Sequence, residues 1–128
     1  MTRSRIQVVF FDAADTLFHI HGSVAEIYLQ HAEKHGVREP PEPSAAVQSA
    51  FARALGAAPP PVFAATEPAA TKQAERLWWF DIVHNVFYRV GMFEAFDEFF
   101  EEVFARFEQP DSWRLFPETL AVLTALKE

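Results

Sequence analysis

The sequence predicts a mostly α-helical chain with one buried N-terminal strand, of the kind found inside parallel α/β sheets. Three observations carry this. Residues 6–11 (Ile-Gln-Val-Val-Phe-Phe) are β-branched, aromatic and nearly all apolar, the pattern of a strand covered on both faces. From Ser23 onward the apolar residues recur at helical spacing between proline and glycine breaks. The chain has 128 residues, of which half are hydrophobic and 23% charged, which suits one domain with a real core.

The elements follow in order. The strand stops at Asp12-Ala-Ala-Asp-Thr, where a turn is expected. No second strand is evident, so its backbone donors and acceptors need sheet neighbours from elsewhere. Ser23-Val-Ala-Glu26 is a capping box, with Ser23 as N-cap and Glu26 reaching back; it starts a helix from Val24 to about His35, stopped by Gly36. Pro40, Pro41 and Pro43 break the chain. Ser44 caps a shorter helix with Val47, Phe51 and Leu55 as its apolar stripe, ending at Gly56. Residues 57–65, with Pro59, Pro60 and Pro61, make a semi-extended loop.

Thr66 starts the next helix, with Pro68 in its first turn and Gly91 as its stop. Leu77, Trp78, Phe80, Ile82, Val83, Val86 and Phe87 make it apolar over much of its circumference, as expected of the central helix of a bundle. Phe93, Phe96, Phe99, Phe100, Phe104 and Phe107 then follow helical spacing, with Glu94, Asp97, Glu98, Glu101 and Glu102 as an acidic outer face. Residues 113–117 (Trp-Arg-Leu-Phe-Pro) read as a connector. Pro117 starts a last helix with Leu120, Val122, Leu123 and Leu126 apolar. With 14 phenylalanines the core is expected to be aromatic.

Composition excludes several functions. Eleven basic and eighteen acidic residues give a net charge of −7, so a general nucleic-acid footprint is not expected. There is no cysteine, which excludes disulfides, thiolate zinc sites and cysteine nucleophiles. No apolar stretch has the length of a membrane span, and the apolar run after the basic N-terminus is interrupted by Asp12, unlike a signal-peptide core. A soluble cytoplasmic protein is the expectation.

Asp12 is the leading candidate for chemistry. It ends the strand, and sites of parallel α/β sheets form just outside the carboxyl ends of strands. A carboxylate there can act as nucleophile, as Mg²⁺ ligand, or both. Thr16, four residues on, can donate its hydroxyl to a phosphoryl oxygen; the plain alternative is a turn after a strand. His19, His21, His31 and His35 have a spacing that suits zinc, and equally suits packing and helix-end roles. Trp78 and Trp79 are assigned to core or interface rather than to a stacking platform.

The segment 8–18 (Val-Val-Phe-Phe-Asp-Ala-Ala-Asp-Thr-Leu-Phe) resembles the first motif of the haloacid dehalogenase-like (HAD) hydrolases. Residues 19–28, Trp78-Trp79 and residues 113–118 (Trp-Arg-Leu-Phe-Pro-Glu) resemble its REG-2-like subgroup. The resemblance implies an α/β HAD-like fold with a Rossmann-like core and an all-α helical cap. Residues 1–18 would be the first core strand and nucleophile loop, 19–112 the cap, and 113–128 the return to the core. It implies Asp12 as nucleophile, Thr16 as phosphate contact, and Mg²⁺ held by Asp12 and the backbone carbonyl of Ala14. The reaction implied is phosphatase-type hydrolysis of a small phosphorylated metabolite through an aspartyl phosphate. Opening and closing of the cap would select substrate.

Two departures qualify this. The family's phosphatases carry a second aspartate where this chain has Ala14, so the group that moves the proton is missing. Dehalogenases of the family also lack it, which keeps C–X hydrolysis as an alternative. The family's downstream Ser/Thr, lysine and acidic pair fall beyond the helix that starts at Pro117. The chain is therefore expected to need a further core segment or a second polypeptide to complete the sheet, and not to turn over substrate alone. The rivals are a non-catalytic interaction protein on the same scaffold and a helical module binding through its aromatic faces.

Overall fold

The structure, a computed structural model, describes residues 5–37 and 44–128. The chain divides into a helical unit, Gly22–Glu108, and a strand unit made of Met1–His21 and Gln109–Glu128.

The helical unit holds α1 (Val24–Lys34), α2 (Ser44–Ala57), α3 (Pro68–Val90) and α4 (Phe96–Phe107). The Ser23 Oγ accepts the Glu26 backbone N–H at 3.1 Å, which satisfies one of the donors left open at the start of α1. At the other end Gly36 takes φ +101°, a conformation that stops the helix at little cost only in glycine. α3 begins with Pro68 at its first position. The Thr71 hydroxyl closes the first turn by donating to the Glu67 carbonyl at 3.0 Å. Gly91, at φ 137°, ends it, its N–H bonded to the Phe87 carbonyl at 2.8 Å.

Two apolar faces differ from the sequence expectation. α2 buries Val47, Ala50 and Ala54, while Phe51 is half-buried and Leu55 is 40% exposed. The alanines let α2 lie close to α3 and α1, so the buried face is turned away from the largest side chains. α3 buries only Ile82, Val83, Val86 and Phe87, and Leu77 is 51% exposed. It is a one-faced helix, buried in its C-terminal half, rather than one apolar all round. Pro59–Pro61 form a loop whose Pro59 carbonyl accepts the Trp78 indole N–H at 2.8 Å.

The core is aromatic, as the phenylalanine count suggests. Tyr28, Phe87, Phe96, Phe99 and Phe100 are all buried. The Phe99 ring lies 5.0 Å from Phe87, 5.3 Å from Phe93 and 6.3 Å from Tyr28, all three edge-on, the arrangement ring quadrupoles favour. Burial pushes the Tyr28 phenol above its ordinary pKa, so it stays neutral.

The strand unit corrects the sequence reading most. Residues 6–11 are in no strand and make no backbone hydrogen bond to any described residue. They are exposed rather than buried, with no described residue paired to them. The two strands lie elsewhere: β1 (Phe18–Ile20) and β2 (Trp113–Leu115) pair antiparallel, with Phe18 opposite Leu115, His19 opposite Arg114 and Ile20 opposite Trp113. Residues 113–115 are therefore a strand, not a plain connector. Side-chain contacts hold the pair: the Phe18 and Trp113 rings meet edge to face at 5.4 Å, and His19 lies 4.9 Å from Phe116. α5 (Thr119–Lys127) starts two residues after Pro117, and its Thr119 hydroxyl donates to the Leu17 carbonyl at 2.7 Å. Leu120, Val122, Leu123 and Leu126 of α5 are exposed. Among the described residues no helix is long and apolar enough to cross a membrane.

Candidate active site

Residues 12–18 form a tight loop ahead of β1. The Ala13 carbonyl accepts N–H groups from Thr16 at 3.1 Å, Leu17 at 2.9 Å and Phe18 at 3.4 Å. Asp15 takes φ +63°, left-handed backbone that aspartate tolerates better than most residues, and its N–H donates to the Phe18 carbonyl at 2.7 Å. Ala14 forms an isolated parallel bridge with Phe18. Gathering three N–H groups on one carbonyl curls the chain, so that Thr16 returns over Asp12. Its hydroxyl donates to Asp12 Oδ2 at 3.4 Å, a long bond. Both side chains are exposed, so a solute can reach them.

Asp12, Ala14 and Thr16, the three positions singled out from sequence, thus share one short loop. Its donors are a carboxylate, backbone carbonyls and a hydroxyl, which are hard oxygen ligands. Mg²⁺ takes such ligands and keeps several waters, so it needs only one or two carboxylates from the protein.

Of the four histidines, His19 and His21 belong to the strand unit, and His31 and His35 to the helical unit. His19 Nδ1 lies 3.0 Å from the Ile20 carbonyl, and His21 Nε2 lies 3.4 Å from an Arg114 nitrogen. His31 and His35 both turn to Glu102 of α4: His31 Nδ1 is 3.2 Å from Oε1, and His35 Nε2 pairs with Oε2. Lys34 Nζ adds a contact at 3.7 Å. Among the described residues no group of three His, Asp or Glu side chains is placed to hold a metal ion.

Glu102 was not visible as a partner in the sequence, where it belongs to the solvated face of α4. The hydrogen bond with His35, aided by the nearness of His31, holds its carboxyl below the ordinary value of 4.5. A lowered carboxyl pKa gives stability that is present above 4.5 and is lost as pH falls through the folded value. Glu102→Gln is expected to cost about 1 kcal/mol at neutral pH, the scale of a partly exposed pair. It should also flatten the loss of stability in acid. Urea midpoints of both proteins at pH 7 and below 4.5 check this, and parallel pH profiles would refute it.

A cleft of about 180 Å³ lies beside the Trp78–Pro59 hydrogen bond, lined by Ala54, Ala57, Pro59, Trp78, Asp81 and Asn85. That is below the roughly 300–1,000 Å³ of a small-molecule pocket. Trp78 meets Trp79 edge to face at 4.8 Å and ties the proline loop to α3, which is a structural role.

A scan against protein-family models finds no match, and a search of curated proteins finds none either.

Proposed function

We propose that the chain is part of a HAD-like hydrolase, inactive alone, with Asp12 as the nucleophile toward a small phosphorylated metabolite once a further core segment or a second polypeptide completes the sheet. The observation that supports this best is the loop itself. Asp12 directly follows an apolar β-branched segment, is exposed, and has the Thr16 hydroxyl on its carboxylate.

An Asp12 oxygen attacks phosphorus, and an aspartyl phosphate forms as the bond to the leaving oxygen breaks. That oxygen takes a proton from solvent, because Ala14 has none to give. Water then attacks the same phosphorus, which releases inorganic phosphate and restores the carboxylate. Thr16 holds a phosphoryl oxygen by its hydroxyl. Asp12 and the Ala14 carbonyl would hold Mg²⁺, which would supply neutralisation of phosphate charge. Sheet neighbours for residues 6–11 come from another polypeptide segment.

The test is trapping of a beryllofluoride phosphoryl mimic with Mg²⁺, read by fluorine NMR. The expected result is a Mg²⁺-dependent bound signal in the protein with its core sheet completed, and none when that protein carries Asp12→Asn. Failure of the completed protein to trap the mimic, or trapping that survives Asp12→Asn, would overturn the proposal. The absence of a titratable group at Ala14 favours one other reading, a non-catalytic interaction protein, and the same experiment separates the two.

A further inference from the structure

We propose that Asp15 is a positioning residue of the candidate site: its left-handed backbone, and not its carboxylate, presents the Thr16 hydroxyl to Asp12. The inference rests on the reading of Asp12 as nucleophile and adds to it a residue whose role is conformational.

Among the described residues, the positions with positive φ are Gly22, Gly36, Gly91 and Asp15. Gly36 and Gly91 end α1 and α3, where glycine takes this geometry without a steric cost. At position 15 the chain carries a side chain instead, at φ +63°, in a region that most L residues avoid. Backbone strain of this kind gathers where it serves a site. Here it stands between Asp12 and Thr16, the two side chains that meet at 3.4 Å.

The far end of the loop is fixed by the rest of the strand unit. The Leu17 carbonyl accepts the Phe116 N–H at 3.2 Å and the Thr119 hydroxyl at 2.7 Å. Phe18 sits opposite Leu115 in the β1–β2 pair. The near end is Asp12, so the chain has to reverse between the two, and it does so at position 15. There the Asp15 N–H reaches forward to the Phe18 carbonyl at 2.7 Å. The Thr16 and Leu17 N–H groups turn back to the Ala13 carbonyl at 3.1 and 2.9 Å. With residue 15 in right-handed or extended backbone these bonds cannot all form. Because Leu17 is held, Thr16 is the residue that swings away, and its hydroxyl leaves Asp12 Oδ2. Every group in this argument belongs to the strand unit, and none lies in residues 6–11.

The same geometry gives the Asp15 carboxylate no part. The residue is exposed, and what the loop asks of it is its φ. Conformation and proton can therefore be separated by substitution. Asp15→Asn keeps the tolerance for left-handed backbone and removes the titratable group. Asp15→Gly keeps the conformation and removes the side chain. Asp15→Val removes the conformation, because a branched Cβ does not fit at positive φ.

The first measurement is beryllofluoride affinity with Mg²⁺, read by fluorine NMR on the protein with its core sheet completed. Asp15→Asn and Asp15→Gly are expected to match the native protein within about twofold, the scatter of a surface substitution. Asp15→Val is expected to bind about 5–30-fold more weakly, the ratio that the left-handed penalty of an L residue corresponds to. Thr16→Ala should cost less affinity in the Asp15→Val background than in the native one, since Asp15 acts through Thr16. Melting curves check that each variant folds. Should Asp15→Val not fold, Asp15→Ala takes its place, as it differs from the glycine variant by one methyl group.

The second measurement is amide hydrogen exchange at Thr16 and Leu17, corrected for the intrinsic effect of each new side chain. It reads the loop without any bound mimic. Rates are expected to be unchanged in Asp15→Asn and Asp15→Gly and about 5–30-fold faster in Asp15→Val.

Loss of affinity in Asp15→Asn would overturn the proposal, because the carboxylate would then be the active part. Equal affinity in Asp15→Val and the native protein, or an equal cost of Thr16→Ala in both backgrounds, would do the same. A completed native protein that traps no mimic sinks the hydrolase reading instead. Position 15 is then decided by the exchange rates alone, and equal rates in Asp15→Val and the native protein refute its role.

Discussion

Phe99→Ala is expected to destabilise the helical unit by about 3–5 kcal/mol, the cost of emptying a buried phenylalanine site. Phe99 is fully buried and is ringed by Phe87, Phe93, Phe96 and Tyr28, with centroids 5.0–6.3 Å away. Those partners belong to α1, α3, α4 and the turn before α4, so the cavity would open where three helices meet and could not close by moving one of them. A loss of this size is a large share of the about 5–15 kcal/mol that holds a typical domain together. Urea unfolding followed by the helical circular-dichroism signal measures it, as a lowered midpoint with an unchanged slope. A change below about 1 kcal/mol, the mean for arbitrary substitutions, would mean that the ring cluster does not carry the core.

Ala14→Asp is expected to speed the breakdown of the aspartyl phosphate on Asp12 by about 10²–10⁴-fold, the usual contribution of one placed proton-transfer group. In the native chain the Ala14 methyl can neither protonate the leaving oxygen nor activate water. Ala14 is exposed and lies between Asp12 and Thr16 in the same loop. The measurement, made on the protein with its core sheet completed, is the decay of phosphoenzyme formed from a small acyl phosphate, with Asp12→Asn/Ala14→Asp as the blank. Equal decay in the native chain and Ala14→Asp would show that position 14 is not where this chemistry takes its proton.

What was legible in the sequence follows from distance along the chain. The start of α1 could be read because Ser23 and Glu26 are three residues apart, and its end because Gly36 takes a positive φ. Asp12 and Thr16 could be read as a pair for the same reason: their contact spans four residues. Residues 6–11 have the composition of a strand, but composition does not supply a partner, and they stand unpaired. β1 and β2 were missed because each has three residues, too few to show a period, and they pair across more than ninety positions. The face of α2 was misjudged because Ala50 and Ala54, which allow close approach, were outweighed in the pattern by Phe51 and Leu55. No spacing rule links His35 to Glu102, 67 residues later, so that cluster was out of reach.

The pairing of β1 with β2 also bears on how such a chain can be assembled. At its far end the His21 N–H donates to the Ser112 carbonyl at 2.8 Å, so the chain leaves the β1–β2 pair and returns to it at bonded neighbours. Everything in between is spliced into what would otherwise be an ordinary hairpin. An insert whose two ends already meet adds little closure entropy, which rises by only about 0.6 kcal/mol for each doubling of loop length. The helical unit is thus inserted as a cassette between chain ends that already meet, and the loop ahead of β1 draws its hydrogen bonds from its own residues and the rest of the strand unit rather than from the insert.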